Sequence, residues 1–332
     1  GTTLRIALSV ASLIDGYTIF TGDEQIRNRP VGPVVEALNN LGAFSVTSKN
    51  NGKAPVIVKG VAKGGKTKLD GVSSQFLTSL LISCPLMQND TEIELTRLNE
   101  VPYVDMTLWW LDKFGIKYEN RNYKTFFIKG NQSYKCFNET ISADFSSATF
   151  FIVLAAISGG KIKITNLDVT DPQGDKEVLK IVESMGAKII YEKDGITIEG
   201  GDLKGIEIDM NAIPDALPAL AVAGCFADGE TKLLNVPQAR LKETDRIRVM
   251  FEELTKMGAD ITELEDGLII RKSKLKSTNV YGHKDHRIVM ALAIAGLCLN
   301  GKTVIDTAEA ASVTFPTFSD LIKKCGGKMQ TE

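Results

Sequence analysis

The stretch LKETDRIR places Lys242, Glu243, Asp245 and Arg246 within about one helical turn. Such a group has two chemical uses. It closes ion pairs at a helix start, with Thr244 or Asp245 near the cap, or its cations hold an anionic substrate while Glu243 moves protons. Proton donation by Glu243 would require burial or a proton taken from the substrate. Asp215, in AIPDALPAL, stands between Pro214 and an apolar run. An acid there either caps a helix or accepts a hydrogen bond from a substrate hydroxyl, raising the nucleophilicity of that oxygen. Ser73 and Ser74, in GVSSQF, read as N-caps or as phosphate ligands. Arg5, Arg27, Arg29, Arg240, Arg248 and Arg287 add a basic supply near helix starts, where free N–H groups and the helix dipole already favour anions. Arginine's fixed fork suits phosphate and carboxylate oxygens.

Both histidines lie in YGHKDHRIVMA, three residues apart. A metal pair on a helix prefers i, i+4 spacing, and here Lys284 intervenes with no cysteine nearby. His283 is expected on a loop, exposed or bonded locally. His286 is expected to donate to a backbone carbonyl or to Asp285 and so fix a helix start. No Walker loop, dinucleotide fingerprint or zinc-peptidase motif occurs, so neither a nucleotide nor a metal nor any other cofactor is expected.

The bulk composition narrows the class. The 39 lysines and arginines against 41 acids, for a net charge of -2, disfavour a uniform nucleic-acid surface; basic sites must be local pockets. No apolar run reaches the roughly 18 residues of a membrane span, so no membrane partner is expected. Cys84, Cys136, Cys225, Cys298 and Cys325 are scattered and read as reduced, buried thiols of a cytoplasmic protein.

The elements that must position these residues recur. Apolar helices are predicted to begin near Gly1, Ser73, Asp144, Ala212 and Asp285, and amphipathic ones end at Gly42, Gly115, Gly186, Gly258 and Gly326, in each series about 70 residues apart. Between and after them come strand-like runs such as KIKITNL and TKLLNV and strand pairs such as KIIYEKDGITIEG and DITELEDGLIIRK. The apolar helices have almost no polar face, so one unit cannot close its own core and several must pack together. The last copy lacks its strand pair, and the chain opens without methionine inside a motif. A further unit is therefore expected before Gly1.

GTTLR, RNRP, SSQFLTSLL, PYVDMTL, IPDALPALA, LKETDR and KDHRIVMA, in this order, resemble the 5-enolpyruvylshikimate-3-phosphate synthase family across all 332 residues. The related transferase acting on a UDP-sugar is less similar, above all in KETDR and DHR. The resemblance implies a two-lobed inverse α/β barrel of βαβαββ units, five of six present. The lobes would span 1–138 (incomplete) and 139–332, cross over near 136–143, and close around the substrates at a cleft. It implies transfer of the enolpyruvyl group from phosphoenolpyruvate to the 5-hydroxyl of shikimate 3-phosphate through a tetrahedral intermediate, a step of the shikimate pathway toward chorismate and the aromatic amino acids. Ser73, Ser74, Tyr103, Asp215, Gln238 and Lys242 match positions that hold shikimate 3-phosphate. Arg29, Gln75, Arg246 and Arg287 match those that hold phosphoenolpyruvate, with Arg5 among the substrate-binding residues. Asp215 and Glu243 match the acid/base pair, while Asp285 and His286 are expected to support them; Arg27 is read as a solvated neighbour. The complete protein is expected to be a monomer, and the chain beginning at Gly1 to turn over poorly. Glu100 stands where many members have a serine, and Val313 where some have a lysine. These departures keep open the alternative of a non-catalytic anion-binding repeat protein.

Overall fold

A computed structural model describes residues 1–330, and the chain divides into two compact units, Gly1–Thr140 and the residues from Ile141 onward. The first contains α1 (Thr2–Ala11), β1 (Tyr17–Phe20), α2 (Glu24–Asn28), α3 (Gly32–Asn40), β2 (Phe44–Thr47), β3 (Val56–Lys59), β4 (Gly65–Gly71), α4 (Ser74–Ser83), β5 (Thr91–Leu98), α5 (Val101–Lys113), β6 (Tyr118–Arg121) and β7 (Thr125–Ile128). The second contains α6 (Phe145–Ser158), β8 (Lys161–Thr165), α7 (Glu177–Met185), β9 (Lys188–Glu192), β10 (Gly195–Glu199), β11 (Glu207–Asp209), α8 (Leu217–Phe226), β12 (Glu230–Leu234), α9 (Arg246–Lys256), β13 (Asp260–Leu264), β14 (Gly267–Arg271), β15 (Asn279–Tyr281), α10 (His286–Leu297), β16 (Val304–Asp306) and α11 (Phe318–Lys324).

Each unit has its own hydrophobic core. In the second, α6, α8 and α10 pack on one another, and α8 buries every residue from Leu217 to Cys225. A helix apolar on all sides needs cover all round. Amphipathic α7 and α9 supply part of that cover with one face each: α9 buries Ile247, Val249, Met250 and Leu254 and leaves Arg248 and Glu252 outside. In the first unit α1 packs on α4. On α5, Trp109 and Trp110 meet edge to face, with the Lys113 ammonium over both rings.

The sheets correct the expectation of an inverse α/β barrel. Among the described residues there are five separate sheets, ordered β1-β3-β2 and β4-β5-β7-β6 in the first unit and β8-β10-β9, β11-β12-β14-β13 and β15-β16 in the second. None closes on itself. A barrel needs hydrogen bonding that continues from the last strand back to the first. Here strands bond only within one repeat: β4 runs parallel to β5, β5 antiparallel to β7, and β7 antiparallel to β6, and the β11–β14 sheet repeats that pattern. The sheets therefore remain small and open.

The helix-ending glycines do what their spacing implies. Gly42, Gly115, Gly186, Gly258 and Gly326 all have positive φ, the backbone that glycine adopts without a Cβ penalty. Two local readings need correcting. α8 begins at Leu217 rather than near Ala212, because Pro214–Ala216 form a separate 3-10 turn that carries Asp215. Cys136 and Cys325 are exposed rather than buried, although all five cysteines are free. Among the described residues no helix is long and apolar enough to cross a membrane, and no group of three histidine, cysteine or acidic residues could hold a metal ion.

Candidate active site

In the second unit, three chain segments bring their polar ends together around Arg246. Asp215 comes from the 3-10 turn before α8; Lys242 and Glu243 come from the loop after the 3-10 turn Pro237–Leu241; Asp285, His286 and Arg287 open α10. Two of the helix starts are fixed by carboxylate N-caps. Asp245 accepts from Arg248 N at 3.0 Å and Asp285 from Arg287 N at 2.9 Å, each satisfying a donor that a helix start leaves open.

Arg246 is only 1% exposed and spends its guanidinium on three acids. Nη1 donates to Asp215 Oδ1 at 2.7 Å and Nη2 to Glu243 Oε2 at 2.6 Å. Nε reaches Asp285 Oδ2 at 2.9 Å, with Nη2 3.3 Å from Asp285 Oδ1. Burial alone would depress the Arg246 pKa, but Asp285, Glu243 and Asp215 outweigh it and raise the value above that of an ordinary arginine. A buried cation is tolerated only when paired and hydrogen-bonded, so the fork also acts as a clamp that sets the positions of Asp215 and Glu243. Thr244 Oγ1 donates to Asp285 Oδ2 at 3.1 Å and completes the support.

Asp215 also faces Arg287 Nη2 at 3.2 Å and Lys242 Nζ at 3.5 Å. Burial pushes its pKa up, yet Arg287, Lys242 and Arg246 together hold it well below the usual carboxylate range. Asp215 is therefore ionised at neutral pH. His286 is shifted the other way: burial, then the Arg287 and Arg246 charges, push it down to about 4, so its ring is neutral. The expected bond from His286 to Asp285 is not made, since Nδ1 lies 3.8 Å from Asp285 Oδ1. Gln238 is buried in the 3-10 turn, with Nε2 on Asn211 O at 3.1 Å and Oε1 without a hydrogen-bond partner.

The first unit gathers a second cluster. Arg5 Nη1 donates to Gln75 Oε1 at 2.8 Å and lies 3.4 Å from Ser73 Oγ, while Nη2 donates to Pro30 O at 3.2 Å. Gln75 Nε2 donates in turn to Thr2 Oγ1 at 2.8 Å. Arg29 follows α2 and is buried; a Cβ on Gly1 would lie 2.2 Å from its Nη1. Ser73 is the N-cap residue of α4 but makes no side-chain cap bond. Tyr103 lies half-buried in the first turn of α5.

Several neighbouring residues are engaged elsewhere. Arg27 is exposed and donates to Gly22 O, and Arg248 pairs with Glu252 and Glu263. Val313 is 79% exposed. His283 Nε2 sits 2.8 Å from Glu253 Oε1, a carboxylate that also accepts from Tyr281 N and pairs with Lys256. Sequence reasoning missed Glu253. It reads as one more acid on the amphipathic α9, and only the burial of its side chain sets it apart.

The family described as EPSP synthase (3-phosphoshikimate 1-carboxyvinyltransferase) matches residues 1–322. A 3-phosphoshikimate 1-carboxyvinyltransferase of Acetivibrio thermocellus is 64% identical over 331 residues, covering 100% of this chain and 78% of the relative. One from Methanocaldococcus jannaschii is 46% identical, covering 100% of this chain and 79% of the relative. The solved EPSP synthase from Acinetobacter baumannii superposes with a TM-score of 0.81 at 27% identity, over 100% of this chain and 78% of that one. With helix-start carboxylates and cations placed as described, and these likenesses running the length of the chain, this protein belongs to the EPSP synthase family.

Proposed function

We propose that this protein transfers the enolpyruvyl group of phosphoenolpyruvate to the 5-hydroxyl of shikimate 3-phosphate and releases inorganic phosphate. The observation that carries the reading is the Arg246 clamp, which holds two carboxylates, Asp215 and Glu243, beside Lys242 and Arg287. Both substrates are multiply charged anions that repel each other. Fixed cations offset that repulsion at no reorganisation cost, which makes positioning and electrostatics the main tasks of the site.

Asp215, ionised and held at a set angle, accepts the hydrogen bond of the attacking hydroxyl and takes its proton as the carbon–oxygen bond forms. Glu243, after taking a proton from the bound phosphorylated substrate, delivers it to the methylene carbon of phosphoenolpyruvate, which makes C2 electrophilic. The resulting tetrahedral adduct loses phosphate as Glu243 takes back a methyl proton, which restores the enol. Arg29, Gln75, Arg246 and Arg287 are assigned to phosphoenolpyruvate. Ser73, Ser74, Tyr103, Gln238 and Lys242, with Asp215, are assigned to shikimate 3-phosphate. Arg5 steadies Gln75 and Ser73; Asp285 and His286 support the Arg246 end. A cytoplasmic setting suits phosphorylated substrates and five unpaired cysteines.

Phosphate release by the full-length protein, measured with both substrates and with each alone, tests the reaction. Release must require both. Isothermal titration with shikimate 3-phosphate separates the alternative: affinity no greater than for inorganic phosphate would assign an anion-binding repeat protein instead.

A further inference from the structure

The start of α4 already carries an anion of the protein's own. Ser74 N donates to Glu100 Oε2 at 3.1 Å and Ser74 Oγ donates to the same oxygen at 2.7 Å. Glu100 lies 26 residues further on, at the N-cap of α5, in left-handed backbone with φ +59° and ψ +43°. That conformation is uncommon for a residue with a long side chain. The residue is 2% exposed, so its carboxylate is not a solvated surface acid that happens to reach the helix. It places negative charge at the positive end of α4 and satisfies a backbone donor that the Ser73 side chain leaves open.

We infer that Glu100 sets the affinity of this protein for its phosphorylated substrate, because its carboxylate occupies the Ser74 donors that the substrate phosphate must take. The inference rests on the assignment of Ser73 and Ser74 to shikimate 3-phosphate made above. A hydroxyl has one proton and a backbone N–H has one, so neither serves a phosphate oxygen while both point at Glu100 Oε2. Two anions cannot share the pair closely without strong repulsion. Binding is therefore an exchange, with phosphate entering and carboxylate leaving, and the ligand must outbid a carboxylate for the same donors. A phosphate, with three terminal oxygens and close to two negative charges, does so; a weaker anion does not. Arg5 Nη1, 3.4 Å from Ser73 Oγ, adds a cation on the incoming side.

Two substitutions in the full-length protein test this. Glu100→Gln removes the charge and keeps the length. Glu100→Asn removes the charge with a residue that adopts left-handed backbone readily, which guards against loss of fold in the first variant. Both should lower the KM for shikimate 3-phosphate about tenfold, the scale of one charge-assisted hydrogen bond no longer contested. The KM for phosphoenolpyruvate should stay within about twofold. An unchanged or raised KM for shikimate 3-phosphate in folded variants overturns the inference. So does a structure of the unsubstituted protein with shikimate 3-phosphate bound in which Ser74 still donates to Glu100. Wild-type protein that neither binds nor turns over shikimate 3-phosphate would remove the functional reading itself, a result separate from either of these.

Discussion

Arg246 shows how one side chain makes neighbouring acids useful. Its three nitrogens fix Asp215, Glu243 and Asp285 at 2.6–2.9 Å, so the two proposed acid/base groups cannot drift apart or pair with solvent cations. Glu243→Gln keeps the shape of that contact and removes the transferable proton. Turnover should fall about 10²-fold or more while titration with shikimate 3-phosphate stays nearly unchanged. Equal losses in binding and turnover would mean that Glu243 holds substrate rather than moving protons. His286 makes a separate prediction about stability. Its folded pKa of about 4 lies below the ordinary 6.5, so the unfolded chain binds a proton that the folded one refuses. The resulting stability is complete above about pH 6.5 and is lost progressively as the pH falls toward 4. Denaturant unfolding across that range should show a shallower pH dependence in His286→Asn than in the wild type. An identical slope in the two proteins would show that His286 is not the group responsible.

At the scale of elements, the regular parts were the legible ones. The five closing glycines announced left-handed helix ends by type and spacing alone, and each has positive φ. The same holds for the strand pairs joined at Asp194-Gly195 and Asp266-Gly267, which form β9–β10 and β13–β14. Asp144 and Asp285 cap α6 and α10 where the repeat put helix starts. What was not legible depends on contacts far apart in sequence. The clamp joins Arg246 to Asp285 across 39 positions, and Ser74 meets Glu100 across 26. Neither pairing follows from local periodicity. The Glu253–His283 contact was hidden because an acid on an amphipathic helix defaults to the solvent face. A glycine tests the repeat directly. Gly186 has φ +120°, and a Cβ there would lie 2.7 Å from Asp202 O. Gly186→Ala should cost more than about 1 kcal/mol in urea unfolding, since backbone strain and a clash with a backbone atom add. A neutral effect would show that this turn can relax.

Across the whole molecule, two separate cores mean that a core defect acts first within its own unit. Leu220 is wholly buried on α8, a helix that packs against α6, α9 and α10 and against strands β12 and β14. Leu220→Ala should destabilise the second unit by about 2–5 kcal/mol, the range for a buried leucine that leaves a cavity. Far-ultraviolet circular dichroism should show the transition at lower denaturant, and an unshifted transition would mean that the helices collapse into the space. The barrel expected from the resemblance failed at this scale because closure is a property of hydrogen bonding between repeats. The sequence pattern of a single repeat carries no information about it.

The tryptophan pair on α5 decides how such experiments can be read. The chain has two tryptophans, Trp109 and Trp110, and both belong to the first unit. Intrinsic emission excited at the indole band is thus a one-sided optical reporter. It follows the surroundings of α5, and no indole lies on α6 to α11. A fluorescence melt that ignores Leu220→Ala would not mean that the substitution is silent. A new tryptophan at Phe251, half-buried on α9, would give the second unit a signal of its own.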